Sequence, residues 1–218
     1  MNLIISNKYF KKKAINNNFY FYSIEKNDDF IDLKKTIDDL KPKNIISLDF
    51  ALQTIKHIEN GSIIVAKETI SMNSKPINWS VPREDRWFDT SEELNKSICD
   101  ILEKLTFEHY VGSGIELENA HNIHHRSNAK KWINDNLNGI FIDSYSSRLN
   151  EFMIKNSLNI SIIRIINSSF PITNNLNPTI WNKFNEFLRE LYFHKIKTKK
   201  IKNEIFEKKL FYEFSKIR

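Results

Sequence analysis

Residues 139–170 read GIFIDSYSSRLNEFMIKNSLNISIIRIINSSF. Gly139 to Ile142 is an apolar run of strand length, Asn159 to Ile166 is a second, and the stretch between them is predicted to be a helix beginning near Ser144. Asp143 stands at the junction, where its carboxylate can cap the first amides of that helix. Strand, helix and strand in this order are the unit from which a sheet with covering helices is built.

The same alternation extends in both directions. Further strands are predicted at Leu3 to Ser6, Phe19 to Ile24, Asn44 to Leu48, Ser62 to Ala66 and Phe107 to Val111. Helices are predicted to begin near Asp28, Thr90, Ser127, Asn177 and Lys199. Thr90 or Ser91 ahead of Glu92 and Glu93 is a capping-box signature, and Pro178 suits the first turn of the helix carrying Trp181. The fold class expected is α/β: a three-layer α/β/α sandwich with a central mixed β-sheet.

The chain of 218 residues, 40% hydrophobic, is long enough to bury one sizeable core, and a single domain over 1–218 is expected. Its longest apolar runs, such as Ile160 to Ile166, are interrupted by Ser161 and Arg164 and fall far short of the roughly 20 residues a bilayer requires. Met1 to Ser6 lacks the basic region and cleavage site of a signal peptide, so it reads as a first strand and the protein as cytoplasmic. The lone Cys99 excludes an intramolecular disulfide. It lies on a helix with apolar residues at Leu94, Ile98, Ile101, Leu102 and Leu105, and is expected to be an inert core thiol.

The charge is unevenly placed. Lys195 to Arg218 holds nine Lys or Arg against three Glu, which accounts for the whole net charge of +6. A basic tail can meet a phosphate backbone, yet Ile201, Ile205, Leu210 and Phe214 form a helical stripe. A basic C-terminal helix at about 196–218, docked by its apolar face with solvated lysines outside, is favoured over nucleic-acid binding. With only four glycines in the chain, neither a P-loop nor a dinucleotide-binding fingerprint can be written anywhere in it.

Three segments resemble the nucleoside phosphorylase superfamily, most closely its methylthioadenosine/adenosylhomocysteine nucleosidases. The first is Ile45 to Ala66, IISLDFALQTIKHIENGSIIVA, where the family has a strand, a G-[ST]-A-G-G loop, then G-D and another strand. Ala51 and Gly61 match without a gap, whereas Asp49, Leu52, Gln53 and Ser62 replace the other loop glycines and the aspartate. The second is Gly114 to Trp132, aligned with G-x-x-x-S-G-D-x-F-[IV]: Gly114 and Ile123 match, Glu118, Asn119 and Ala120 replace S-G-D, and Asn122 replaces the purine-stacking aromatic. The third is the opening segment, where the family has an acid, Met-Glu, a helix and a strand running into R-x-I-S-D. Asp143, Arg164 and Ile166 match; Ser144 and Tyr145 replace Met-Glu, and Asn167 and Ser168 replace Ser-Asp.

The resemblance implies a purine nucleoside pocket and cleavage of an N-glycosidic bond, with no cofactor and no metal. It also implies that the chemistry has changed. The family's acid for the departing base falls on Ser168, which cannot serve as an acid at neutral pH. Its ribose-binding glutamate falls on Tyr145, which can make one hydrogen bond without the charge. Its N-terminal glutamate has no counterpart before Glu25. Asp143, Asn167 and Ser168 are the candidate catalytic residues, and Asp49, Phe50, Asn122, Ile123, Ser144 and Tyr145 the candidate ligand-binding residues. The expected function is a divergent nucleoside-binding member with lost or altered cleavage. The alternatives are an active nucleosidase or phosphorylase with relocated catalytic residues, and an interaction scaffold using the basic C-terminal helix. A homodimer is expected by analogy.

Two further clusters stand out. His121 and His125 have i, i+4 spacing without a third metal ligand, so a histidine lining a ligand pocket is preferred to a metal site. In NWSVPREDRWFD, residues 78–89, Trp79 and Trp87 are expected to fasten a long loop to the body.

Overall fold

The computed structural model describes residues 1–6, 10–24, 29–72, 86–117, 127–167 and 209–217. Eight strands are assigned there: β1 (Leu3–Ser6), β2 (Tyr20–Ser23), β3 (Ile45–Gln53), β4 (Ile63–Ser71), β5 (Phe88–Asp89), β6 (His109–Glu116), β7 (Gly139–Asp143) and β8 (Ile160–Ile166). The helices described are α1 (Lys11–Asn16), α2 (Ile31–Leu40), α3 (Glu92–Lys104), α4 (Ser127–Leu137), α5 (Ser146–Lys155) and α6 (Leu210–Phe214).

The strands form one mixed sheet in the order β2-β1-β3-β7-β6-β4-β5, with β8 paired to both β3 and β4. These pairings close a ring. β3 runs parallel to β8 over Ile45 to Ala51, then pairs antiparallel to β7 through Leu52 and Gln53. β4 pairs antiparallel to β8 over Ile63 to Ala66, shifts register at Lys67, and continues against β5. β6 joins β4 to β7, so β3, β8, β4, β6 and β7 enclose a small barrel at the heart of the sheet.

Alternate residues of the strands supply two cores on opposite faces. Ile4, Ile46, Leu48, Ile63, Val65, Ile163 and Ile165 pack under α1, α3 and α6. Leu3, Ile5, Ile45, Ile64, Ala66, Ile162 and Ile166 pack under α2 and α5. A third cluster sets Ile133 and Leu137 of α4 against Ile115, Ile142 and Trp87. Helices on both faces of a mixed sheet are the expected three-layer arrangement.

Local signals act as read, with informative exceptions. Ser91 caps α3, its Oγ accepting from the Leu94 amide at 3.4 Å, while Thr90 turns away and donates to the Ala66 carbonyl. Trp87 is buried and fastens its end of the long connection, whereas Trp79 lies outside the described residues. Leu210 and Phe214 of the five-residue α6 are fully buried; most of the helix expected at about 196–218, with Ile201 and Ile205, lies outside the described residues, as does the helix expected at Asn177. Cys99 is half-buried at the edge of the core rather than within it, and burial pushes its thiol pKa up. The helix expected near Asp28 starts at Ile31, where Asp29 Oδ1 accepts the first helical amide at 3.2 Å. The short elements α1 and β5 were not anticipated. No helix among the described residues is long and apolar enough to cross a membrane.

The two glycines that match the resemblance have structural reasons. Gly61 turns the chain between β3 and β4 at φ +95° and donates its amide to the Ile166 carbonyl at 2.9 Å. Gly114 leaves room for the Phe141 ring, since a Cβ there would meet its Cζ at 2.1 Å. Gly114→Ala is therefore expected to cost about 1–3 kcal/mol by overpacking. Phe141→Leu in the same chain should recover part of that loss, as measured by urea denaturation.

Candidate functional site

β8 is ISIIRII, and every residue in it is buried. A guanidinium in the middle of such a strand must find its partners inside the protein, because an unpaired buried charge is prohibitively costly. Arg164 lies on the same face of β8 as Ile162 and Ile166, the face that α2 and α5 cover. Its Nε donates to Asp143 Oδ2 at 2.5 Å, with side-chain exposures of 0% and 3%. Nη1 donates to Ser47 Oγ at 3.0 Å and to the Ile163 carbonyl at 2.9 Å. β7 does not pair with β8, so this ion pair joins two strands that share no backbone ladder and are each paired to β3.

Tyr145 and Asp49 complete the cluster. The Arg164 guanidinium carbon lies 4.9 Å from the centroid of the Tyr145 ring. The Tyr145 hydroxyl donates to Asp49 Oδ2 at 2.8 Å, and Asp49 Oδ1 accepts from the Phe50 amide at 2.8 Å. Burial, then the negative charge of Asp49, holds the Tyr145 hydroxyl well above its ordinary pKa, so it is a neutral donor. Burial opposes the Arg164 charge, but Tyr145, Asp143 and Asp49 outweigh it and keep the guanidinium firmly protonated.

The other oxygen of Asp143 does what the sequence suggests. Oδ1 accepts from the Ser146 amide at 3.2 Å and from Ser146 Oγ at 2.7 Å, capping α5. A second carboxylate serves the same turn. Glu116, at the end of β6 and opposite Asp143 in the register, accepts from the Arg148 amide at 2.7 Å and from Arg148 Nε at 2.6 Å. Arg148 Nη2 also donates to the Ser144 carbonyl at 3.0 Å. Two carboxylates at a helix N-terminus are stabilised by the orphan amides and dipole there. They also explain why α5 begins at Ser146 and not at Ser144: residues 143–145 form the turn that these groups brace. Burial raises the Glu116 pKa, opposed by the Arg148 amide and reinforced by the charge of Asp143.

The candidate residues therefore divide. Asp49, Asp143 and Tyr145 are brought together around Arg164. Ser144 is half-buried beside them, its carbonyl held by Arg148. Asn167 is half-buried at the end of β8, its amide donating to the Ala51 carbonyl at 3.0 Å. Phe50 is not with this group: consecutive strand residues face opposite ways, and its ring packs 5.4 Å from Phe10 on the α1 and α6 side. Asn122, Ile123 and Ser168 lie outside the described residues, as do His121 and His125. Glu116, Arg148 and Ser47 were missed. The signal that pointed to such a network was Arg164 itself, a charge in an otherwise apolar strand.

No family model matches the chain, and no curated protein matches it. Solved structures do. The 5'-methylthioadenosine/S-adenosylhomocysteine nucleosidase from Helicobacter pylori with butyl-thio-DADMe-Immucillin-A superposes with a TM-score of 0.64 at 12% identity, covering 94% of this chain and 99% of that one. The corresponding nucleosidase of Campylobacter jejuni gives 0.63 at 11% identity, over 88% and 96% of the two chains. Futalosine hydrolase of H. pylori gives 0.64 at 10% identity, over 76% and 83%. At these identities the likeness is one of fold, and the chain has the nucleosidase fold that its sequence resembles.

Removing one partner of a buried ion pair leaves the other uncompensated, so Asp143→Ala is expected to cost about 3–5 kcal/mol. Urea denaturation measures it; a loss below about 1 kcal/mol would show that Arg164 has another route to neutralisation. Glu116 should also give stability a pH dependence of known sign. Its raised pKa means that its contribution is fully present below the ordinary glutamate range and is lost as pH rises through the elevated value. Relative to Glu116→Gln, the native protein should lose stability across that window, read from urea midpoints at a series of pH values.

Proposed function

We propose that this protein binds a nucleoside or a related small molecule beside Ser144, Tyr145 and Asn167, and that it has lost or altered the cleavage of ordinary purine nucleosides. The fold supports the first half, since similar structures are nucleosidases named for methylthioadenosine and adenosylhomocysteine. The observation that carries the second half is that the carboxylates gathered here are already committed to the protein's own donors. Asp143 gives one oxygen to Arg164 and the other to Ser146; Asp49 gives one to Tyr145 and the other to the Phe50 amide. Glu116 is similarly taken up by Arg148.

Protonating a departing base requires an acid that is poised near the working pH and aimed at the reacting atom. A carboxylate whose two oxygens are taken up by an arginine and a helix cap is spent on the fold and is not aimed at a ligand. The Tyr145 proton is directed at Asp49, and its pKa is displaced away from neutrality. Serine at 168 offers a hydroxyl that keeps its proton. Binding asks less of the site, since neutral donors and acceptors suffice to orient a nucleoside.

A thermal-shift screen against adenosine, methylthioadenosine, adenosylhomocysteine, inosine, free purines and phosphate tests this, with free-base release assayed in the same wells. At a concentration of 100 times Kd, a native-state ligand stabilises by about 2.7 kcal/mol, which moves the melting temperature by several degrees. The expected outcome is a shift with a nucleoside and no released base. Released base would establish instead an active nucleosidase with relocated catalytic residues. No shift with any of these compounds would remove the nucleoside reading.

A further inference from the structure

We propose that Glu116 and Arg148 are a positioning pair that sets the Ser144–Tyr145 turn in the shape a bound ligand meets, an inference that rests on the function proposed above. The pair joins three elements through one planar group. Arg148 Nε reaches Glu116 on β6, Nη2 of the same guanidinium reaches the Ser144 carbonyl, and the Arg148 amide returns to the other Glu116 oxygen. Because Nε and Nη2 are fixed in one plane, the angle between the β6 carboxylate and the Ser144 carbonyl is fixed with them. The far side of the turn is closed by the Leu117 amide, which donates to the Asp143 carbonyl at 2.8 Å, and by the Asp143 cap on Ser146. Residues 144 and 145 are thereby held from both ends.

Stability alone does not call for this arrangement. Glu116 is fully buried while the Arg148 side chain is one-third exposed, at 34%, so a carboxylate has been taken out of water for a partner that remains partly in it. Replacing such a pair by groups of similar volume is often neutral for folding. What a neutral replacement cannot supply is the fork that fixes the Ser144 carbonyl. Among the described residues the charged groups acting on Glu116 are Arg148 from α5 and Asp143 from β7.

Three variants of the full chain separate the roles: Arg148→Met, Arg148→Lys, and the double variant Glu116→Gln/Arg148→Met. Arg148→Met should lower the melting temperature, and the double variant should regain most of that loss. Arg148→Lys retains the charge beside Glu116 and should melt within a few degrees of the native protein. In Arg148→Lys and in the double variant, the amides of residues 144–147 should exchange at least tenfold faster with deuterium. Affinity for whichever nucleoside shifts the native protein should fall at least tenfold in both, measured by titration calorimetry. Recovery of exchange protection and affinity together with melting temperature in the double variant would overturn the inference and leave the pair a packing feature. Unchanged exchange would overturn it whatever the ligand result. Faster exchange in a protein whose native form binds none of the nucleosides would overturn the proposed function and the ligand half of this inference, leaving the pair as a determinant of the turn alone.

Discussion

The buried guanidinium of Arg164 constrains much of what surrounds it. β8 is the strand that both β3 and β4 embrace, and its inward face must accommodate one permanent charge. Neutralising that charge brings Asp143 of β7 to it, and Asp143 marks where β7 ends. Ser47 on β3 takes a second guanidinium nitrogen, which is why a polar residue is fully buried in an apolar strand there. The ring of Tyr145 lies against the same guanidinium, and its hydroxyl passes the constraint on to Asp49, the register partner of Arg164 on β3. A polar network of this kind favours one arrangement of strands over its neighbours by requiring particular partners, while apolar packing would tolerate several. Among the described residues the Arg164 Nη2 nitrogen has no hydrogen-bond partner.

Legibility followed the apolar pattern and failed where polar residues enter it. β7, α5 and β8 were readable because apolar strand runs flank a helix with an acid at its start. β3, β4 and β6 were read too short at their C-terminal ends, each where a polar residue interrupts the run: Asp49 in β3, Lys67 and Glu68 in β4, and Ser113 in β6. In β4 and β6 those are also the places where the register shifts, and a buried residue can be polar there if a neighbour satisfies it. Glu68 is an example, accepting from Ser113 Oγ at 2.6 Å while buried. α1 and β5 are too short to carry a periodic signal; α1 is six residues, three of them lysine, and is held by Phe10 and Ala14.

The site was half legible for a related reason. Asp143 could be read as a helix cap because a cap is a local event, spanning three residues. Its ion pair with Arg164 spans 21 residues and the Glu116–Arg148 pair spans 32, and nothing in a sequence spacing of that size says which charges meet. Phe50 was grouped with Asp49 because they are adjacent in the chain, yet in a strand adjacency places side chains on opposite faces. The period of the strand, applied to the candidate residues as strictly as to the core, would have separated them.

The positions that agree with the family pattern can now be compared with those that do not. Gly61 holds a positive φ that other residues resist, Gly114 makes room for Phe141, and the Ala51 carbonyl receives the Asn167 amide. Asp143 and Arg164 are the buried ion pair, and Ile166 is fully buried core. Each retained position among the described residues thus has a job in the fold that does not depend on a ligand. Ser144 and Tyr145, which depart from the pattern, lie in the turn beside the ion pair and not within it. A fold can keep its frame while the groups that performed chemistry are exchanged, because the frame is enforced by burial and charge inside the protein and the chemistry only by what binds to it. That asymmetry fits a likeness of fold at 10–12% identity. Tyr145 has a physical meaning of its own: a neutral hydroxyl closes the network beside Asp49 with a hydrogen bond, adding no further negative charge to an interior that already holds Asp49 and Asp143.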